Sequence, residues 1–130
     1  MINLTLDEAK KIAAEGDYKV IPISCEFFSD VKTPIEVLRI LKNISRHVYM
    51  LESIEDNEKW GRYTFLGYDP KLELACLKGK MTIKNGTTIE MDIRHPGEMI
   101  KKILADYKSP KLEHLPPFTG GLVGYFAYDY

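Results

Sequence analysis

Apolar residues recur at helical spacing early in the chain, and polar residues mark where a helix begins and ends. Thr5 and Glu8 are spaced as in a capping box and Gly16 is a natural end, which predicts a helix from Thr5 to Gly16. The same spacing predicts another helix over residues 96–107. Its expected inner face consists of Met99, Ile100, Ile103 and Leu104.

The clearest helical pattern begins at Thr33. Pro34 follows at the first helical position, and Glu36 completes a second capping box. The apolar residues that follow recur at helical spacing and predict a single apolar face. This face is expected to consist of Ile35, Val37, Leu38, Ile40, Leu41 and Ile44.

Strand-like runs fill much of the remaining sequence. Strands are predicted over residues 19–28, 47–53, 60–68, 72–77 and 120–130. Alternation on both sides of Asn85-Gly86 predicts a β-hairpin, because both residues can adopt positive φ, and Lys78-Gly79 predicts a turn before it. Pro22 cannot donate to a ladder, so its strand is expected at a sheet edge or bulge. The mixed order predicts one layered α+β domain over residues 1–130, with a largely antiparallel sheet flanked by helices.

The last predicted strand, over residues 120–130, is apolar and aromatic enough to be buried on both faces. It stops at Tyr130 without a turn, a cap or a polar tail, so we expect the chain to be part of a longer protein. An unpaired apolar strand invites pairing between copies. The isolated chain is therefore expected to self-associate.

Composition narrows the class of protein. The chain has 130 residues, with 18 Lys+Arg against 19 Asp+Glu and a net charge of −1, which argues against a nucleic-acid binder that depends on phosphate neutralisation. No apolar run approaches the length of a membrane span, and the first residues lack the pattern of a secretory signal. We therefore expect a cytoplasmic protein without nucleic-acid or membrane partners.

Metal and redox chemistry have little support in the sequence. Cys25 and Cys76 each lie in an apolar, strand-like run without a CxxC partner, so both are expected to be buried, reduced thiols. His47, His95 and His114 are scattered, without a ligand at a strong spacing. No metal site built from this chain alone is predicted.

Catalytic signatures are also missing from the sequence. There is no nucleophile elbow, P-loop or GxGxxG. Gly120-Gly121 precedes a predicted strand, whereas a phosphate cradle precedes a helix, so these glycines are interpreted as sites of close backbone packing. No residue is assigned a catalytic role, and the chain alone is expected to be inactive.

Three polar residues could bind a small ligand. Glu52 and Ser53 end an apolar strand, where a carboxylate and a hydroxyl could together hold an ammonium group; alternatively Ser53 caps a turn and Glu52 faces water. Arg62, between aromatic residues, could bind a carboxylate or stack on a ring. The alternative for Arg62 is an internal salt bridge with Glu52, Glu55 or Asp56.

Three stretches taken together resemble a known family. They are residues 50–53 (MLES), 61–70 (GRYTFLGYDP) and 117–129 (PFTGGLVGYFAYD). In order and spacing they are similar to the N-terminal region of anthranilate synthase component I, within the anthranilate/aminodeoxychorismate synthase group. Met50 stands where the family usually has Leu, which conserves volume.

The resemblance implies a regulatory role and a larger fold of two facing antiparallel sheets flanked by helices. It implies that Glu52 and Ser53 bind the feedback inhibitor tryptophan, and that Arg62 and Tyr63 line the same pocket. Chorismate and Mg²⁺ are expected in a C-terminal portion outside this sequence, and a glutamine amidotransferase subunit is the expected partner of the full-length lyase. The alternatives are the corresponding portion of aminodeoxychorismate synthase component I and an interaction domain without a ligand.

Overall fold

The computed structural model describes residues 2–52 and 63–128. The chain forms two compact units, one containing Met1–Phe27 and His95–Tyr130 and the other Phe28–Arg94. In chain order the elements are α1 (Leu6–Glu15), α2 (Pro34–Ile44), β1 (Val48–Glu52), β2 (Thr64–Tyr68), β3 (Glu73–Leu77), β4 (Lys80–Asn85), β5 (Thr87–Asp92) and α3 (Pro96–Ala105). Helices combined with antiparallel sheets confirm the predicted α+β class.

Both predicted capping boxes form. At α1 the Thr5 hydroxyl accepts a hydrogen bond from the Glu8 amide, and the Glu8 carboxylate accepts one from the Thr5 amide at 2.8 Å. Thr33 and Glu36 repeat this arrangement at α2. These bonds satisfy amides that the first turn of a helix leaves without intrahelical partners, so local sequence alone sets both starting points.

Within the described residues, the second unit contains the five strands β1–β5. β1 pairs with β2 in antiparallel register from Val48↔Tyr68 to Glu52↔Thr64, and α2 packs against both strands. On α2 the half-buried apolar residues are Val37, Leu38 and Leu41. Ile35, Ile40 and Ile44 are exposed. The predicted single apolar face of α2 is thus divided, because only part of it faces the two strands.

β3, β4 and β5 form a three-stranded antiparallel meander. One face of this sheet carries Leu74, Cys76, Met81, Ile83, Ile89 and Met91. The opposite face is mostly polar and places opposite charges directly across from each other, as in the pairs Glu73↔Lys84 and Lys80↔Asp92. Met81, on the central strand, is 2% exposed. The alternation predicted around Asn85-Gly86 therefore holds.

The two turns of this meander differ from each other. Lys78 and Gly79, between β3 and β4, both have positive φ, at 50° and 77°, as in a type I′ turn. At the next turn Asn85 pairs directly with Thr87, and Gly86 alone lies at the tip, with φ 74°. The positive φ expected at both Asn85 and Gly86 occurs only at Gly86, because Asn85 is paired in the ladder. It occurs at both residues of Lys78-Gly79, which the ladder leaves unpaired.

The predicted strand over residues 19–28 is wrong. That stretch contains one isolated bridge, Ile2↔Cys25, instead of a ladder. The amides of Lys19 and Val20 both donate to the carbonyl of Lys108, at 2.8 and 3.2 Å. Pro22 has no amide hydrogen, and the amides of Lys19 and Val20 already donate to Lys108. The stretch therefore cannot supply the regularly spaced amide donors that a neighbouring strand would need.

Three other predictions are also corrected. Residues 120–128, the described part of the last predicted strand, form no strand and are exposed. Gly120 and Gly121 have φ of 144° and 149°, outside the range of a strand. Cys25 and Cys76 are exposed rather than buried, because an apolar run in the sequence does not supply the covering layer that burial requires. On α3, Leu104 is exposed, whereas Met99, Ile100 and Ile103 are half-buried.

Candidate functional site

The candidate site lies at the end of the β1–β2 pair where β1 stops and β2 starts. Glu52 is the last residue of β1 and lies directly across from Thr64, the first residue of β2. The Thr64 hydroxyl donates to Oε1 of Glu52 at 3.4 Å, and Glu52 is exposed. This long bond leaves most of the acceptor capacity of the carboxylate available, since an ionised carboxylate has about four acceptor positions.

Tyr63 immediately precedes β2 and lies on the other face of the pair. Side chains alternate between faces along a strand, so Tyr63 shares a face with Phe65 and not with Thr64. The two rings have centroids 5.7 Å apart and are tilted by 31°. Both residues are half-buried. Glu52 and Tyr63 thus occupy the same end of the strand pair but opposite faces.

Ser53 and Arg62, the other two predicted site residues, lie outside the described residues. The structure therefore tests neither their proposed roles nor the alternatives of a turn cap and an internal salt bridge. The part of the site that it describes is Glu52 with Thr64 on one face and Tyr63 with Phe65 on the other.

Two residues at the ends of the β1–β2 pair could not be identified from the sequence. Thr64, the partner of Glu52, carries no sequence signal of a role, because only the register identifies it as the residue across from Glu52. Ser45, at the other end of the same strand pair, accepts hydrogen bonds from the amides of His47 and Asp69 at 3.3 and 3.0 Å. The second of these bonds joins residues far apart in sequence, and no local pattern indicates it.

A close side-chain contact joins His47, the residue before β1, to Glu73 on β3. Nε2 of His47 lies 2.6 Å from Oε1 of Glu73, with side chains 55% and 39% exposed. At such exposure water screens the pair, so it fixes geometry more than it contributes stability.

Metal binding has no structural support among the residues described. In residues 2–52 and 63–128, no group of three or more His, Cys, Asp and Glu side chains is arranged to hold a metal ion. Within the same residues, no helix has both the length and the apolar character needed to cross a membrane.

Comparison with known proteins identifies relatives described as anthranilate synthase component 1. Anthranilate synthase component 1 of Acetivibrio thermocellus is 41% identical over 127 residues, which cover 96% of this chain. The proteins of the same description from Acinetobacter calcoaceticus and Aquifex aeolicus are each 36% identical and cover 99% and 98% of the chain. The resemblance to anthranilate synthase component 1 is thereby confirmed.

The similarity covers nearly all of this chain but only part of each relative. The chain spans 25% of the length of the Acetivibrio thermocellus anthranilate synthase component 1 and 26% of the other two. No family model matches the chain. No solved structure matches it either.

Proposed function

We propose that this chain is the N-terminal, tryptophan-binding regulatory portion of an anthranilate synthase component I. The observation that carries the proposal is the 41% identity over 96% of the chain to a protein of that description. It is supported by the position of Glu52 at a strand end, where its exposed carboxylate retains acceptor capacity.

The proposed ligand contacts follow from the chemistry of an amino acid. The carboxylate of Glu52 and the hydroxyl of Ser53 accept hydrogen bonds from the tryptophan ammonium group. Arg62 binds the tryptophan carboxylate. Tyr63 lies against the indole, in the offset or tilted arrangement that aromatic pairs prefer. Because Glu52 and Tyr63 share one end of the strand pair but not a face, the inhibitor lies across that end rather than on either face.

The complete synthase is proposed to convert chorismate to anthranilate and pyruvate. In this proposal chorismate and Mg²⁺ bind to a C-terminal portion outside these 130 residues, and a glutamine amidotransferase subunit supplies ammonia. The synthase is placed in the cytoplasm, and the present chain contributes regulation without catalysis. Incubating the chain alone with chorismate, Mg²⁺ and ammonium is therefore expected to give no anthranilate fluorescence.

The decisive test is Ser53→Ala in the full-length synthase that contains this chain. A hydrogen bond to a charged group contributes about 1.5–3 kcal/mol, so tryptophan should inhibit the variant roughly ten- to over a hundredfold less strongly. Turnover without tryptophan should stay near wild type, because inhibition depends on the difference in affinity between two states. Ser109→Ala, at an exposed serine beyond α3, is the matched control.

Three results would contradict the proposal. An inhibition curve for Ser53→Ala that superimposes on wild type would remove Ser53 from the site. A loss of thermal stability that accounts for the weaker inhibition would favour the turn-cap role. Aminodeoxychorismate instead of anthranilate as the product of the full-length protein would assign the chain to the other branch of the group.

A further inference from the structure

Ser45 connects the end of α2 to the residues that flank β1 and β2. It lies at the end of the β1–β2 pair that is remote from Glu52. Ser45 follows α2, and its amide donates to the carbonyl of Leu41 at 2.9 Å, which ends the helix. Its Oγ donates to the carbonyl of His47 at 2.7 Å and accepts from the amide of His47 at 3.3 Å. The same oxygen accepts from the amide of Asp69 at 3.0 Å.

These partners lie next to the first residue pair of the ladder. His47 precedes Val48, Asp69 follows Tyr68, and Val48 pairs with Tyr68. The bonds to His47 span two residues and resemble an ordinary local serine turn. The bond to Asp69 spans 24 residues and cannot arise from local structure.

We propose that Ser45 is a positioning residue that fixes the register of β1 against β2 and thereby places Glu52 across from Thr64. The inference rests on the proposed function, since it concerns the regulation of the same site. Ser45 is not proposed to contact the ligand. It acts through the strand pair, from the opposite end to the site.

The register of this pair needs such a constraint. Short hairpin loops of about two to five residues fix register through their turn geometry. β1 ends at Glu52 and β2 starts at Thr64, so the chain between them is longer than such a loop. A slip of one residue would move every side chain of one strand to the other face, and Glu52 would no longer share a face with Thr64.

The backbone at Asp69 shows how this end of the pair is held. Asp69 has φ 49°, in the left-handed region that residues with a Cβ seldom adopt. Pro70 follows and cannot donate a hydrogen bond, so the Asp69 amide is the last available donor at this end of β2. The hydrogen bond from Asp69 to Ser45 therefore holds β2 in place at the end of the β1–β2 ladder.

The test compares Ser45→Ala with Ser45→Thr in the full-length synthase, with Ser109→Ala as the control. Ser45→Ala removes the acceptor for Asp69, and loss of one neutral hydrogen bond corresponds to about three- to tenfold in an equilibrium constant. Hydrogen exchange of peptides covering residues 64–70 should accelerate by about that factor. The tryptophan inhibition constant should rise similarly, with kcat and KM for chorismate unchanged. Ser45→Thr keeps the hydroxyl and should restore both exchange and inhibition.

The outcomes separate this inference from the proposed function. If tryptophan fails to inhibit the unaltered synthase, the proposed function fails, and the exchange measurement still decides whether Ser45 holds β2. Unchanged exchange over residues 64–70 in Ser45→Ala would overturn the register role. Faster exchange with unaltered tryptophan inhibition would overturn the link to the site. A parallel loss of turnover would show general damage and would also overturn it.

Discussion

The ring of Tyr49 on β1 lies directly over Gly67 on β2. The two residues are paired across the ladder, and a Cβ built on Gly67 would overlap Cε1, Cζ and the hydroxyl of Tyr49. Glycine at this position thus lets an aromatic ring cover the neighbouring backbone. The contact lies one residue pair inward from the end that Ser45 holds, so both features act on the same part of the strand pair.

Gly67→Ala should displace the Tyr49 ring and destabilise the chain. Overpacking of this kind costs about 1–3 kcal/mol, which urea unfolding would detect. Gly124→Ala is the control, because no atom lies within 4 Å of a Cβ built there. In a Tyr49→Ala background the cost of Gly67→Ala should largely disappear. Equal costs in both backgrounds would show that the ring is not the cause.

The turn between β3 and β4 offers a stabilising substitution. Lys78 has φ 50°, which is unfavourable for a lysine and well tolerated by asparagine. Lys78→Asn should raise the free energy of unfolding by about 1 kcal/mol. Lys111→Asn, at an exposed loop position, should leave it nearly unchanged. Equal free energies of unfolding for Lys78→Asn and Lys111→Asn would contradict backbone strain at Lys78.

Gly79→Ala at the same turn should have the opposite effect. Gly79 has φ 77°, and a Cβ there is strained even though the nearest atom, the Ile93 carbonyl oxygen, would be 3.8 Å away. The expected loss is about 1 kcal/mol. The thermal unfolding of Gly79→Ala should be compared with that of Gly124→Ala. Both sites have space for a methyl group, so a difference between the two variants would report backbone strain at Gly79.

The start of α2 should respond to acid. A hydrogen bond from the Thr33 amide, followed by one from its hydroxyl, lowers the pKa of Glu36 from its ordinary value of 4.5. A carboxyl whose pKa is lower in the folded state stabilises that state at pH values above the pKa of the unfolded state. This stabilisation is lost as the pH falls from 4.5 through the folded pKa. Helix content measured by circular dichroism should therefore decline over that range.

Glu36→Gln provides the matched test of this acid response. Glutamine also completes a capping box but does not titrate, so the acid-dependent loss of helix at α2 should shrink. Glu8 at α1 has a pKa lowered by the same kind of bonds to Thr5, so part of the response should remain. Glu113→Gln, at an exposed position outside the helices, is the control. An identical acid profile for Glu36→Gln and wild type would be evidence against this role of the capping box.

The isolated chain should self-associate. Tyr125 is 94% exposed, Tyr128 is fully exposed, and both lie in the apolar stretch near the end of the described chain. Exposed apolar residues of this kind favour association. Tyr125→Ser combined with Tyr128→Ser should lower the mass measured by light scattering. A wild-type chain that is monodisperse and monomeric in light scattering would contradict this expectation.

The sequence by itself determined the features that depend on neighbours along the chain. Thr5 with Glu8 and Thr33 with Glu36 satisfy helix-end amides three residues away, so their pattern identified both helix starts. The alternation around Gly86 likewise identified a hairpin whose two strands are adjacent in the sequence. In these cases the partner of each group lies within a few residues.

Tertiary structure decided everything that depends on a distant partner. Residues 19–28 and 120–128 have strand-like sequences but form no ladder, because a strand exists only where another segment accepts its hydrogen bonds. The positions of Glu52 and Tyr63 on opposite faces, and the bond from Asp69 to Ser45, follow from the register of β1 against β2. Register is a relation between two strands, and a single strand's pattern cannot specify it.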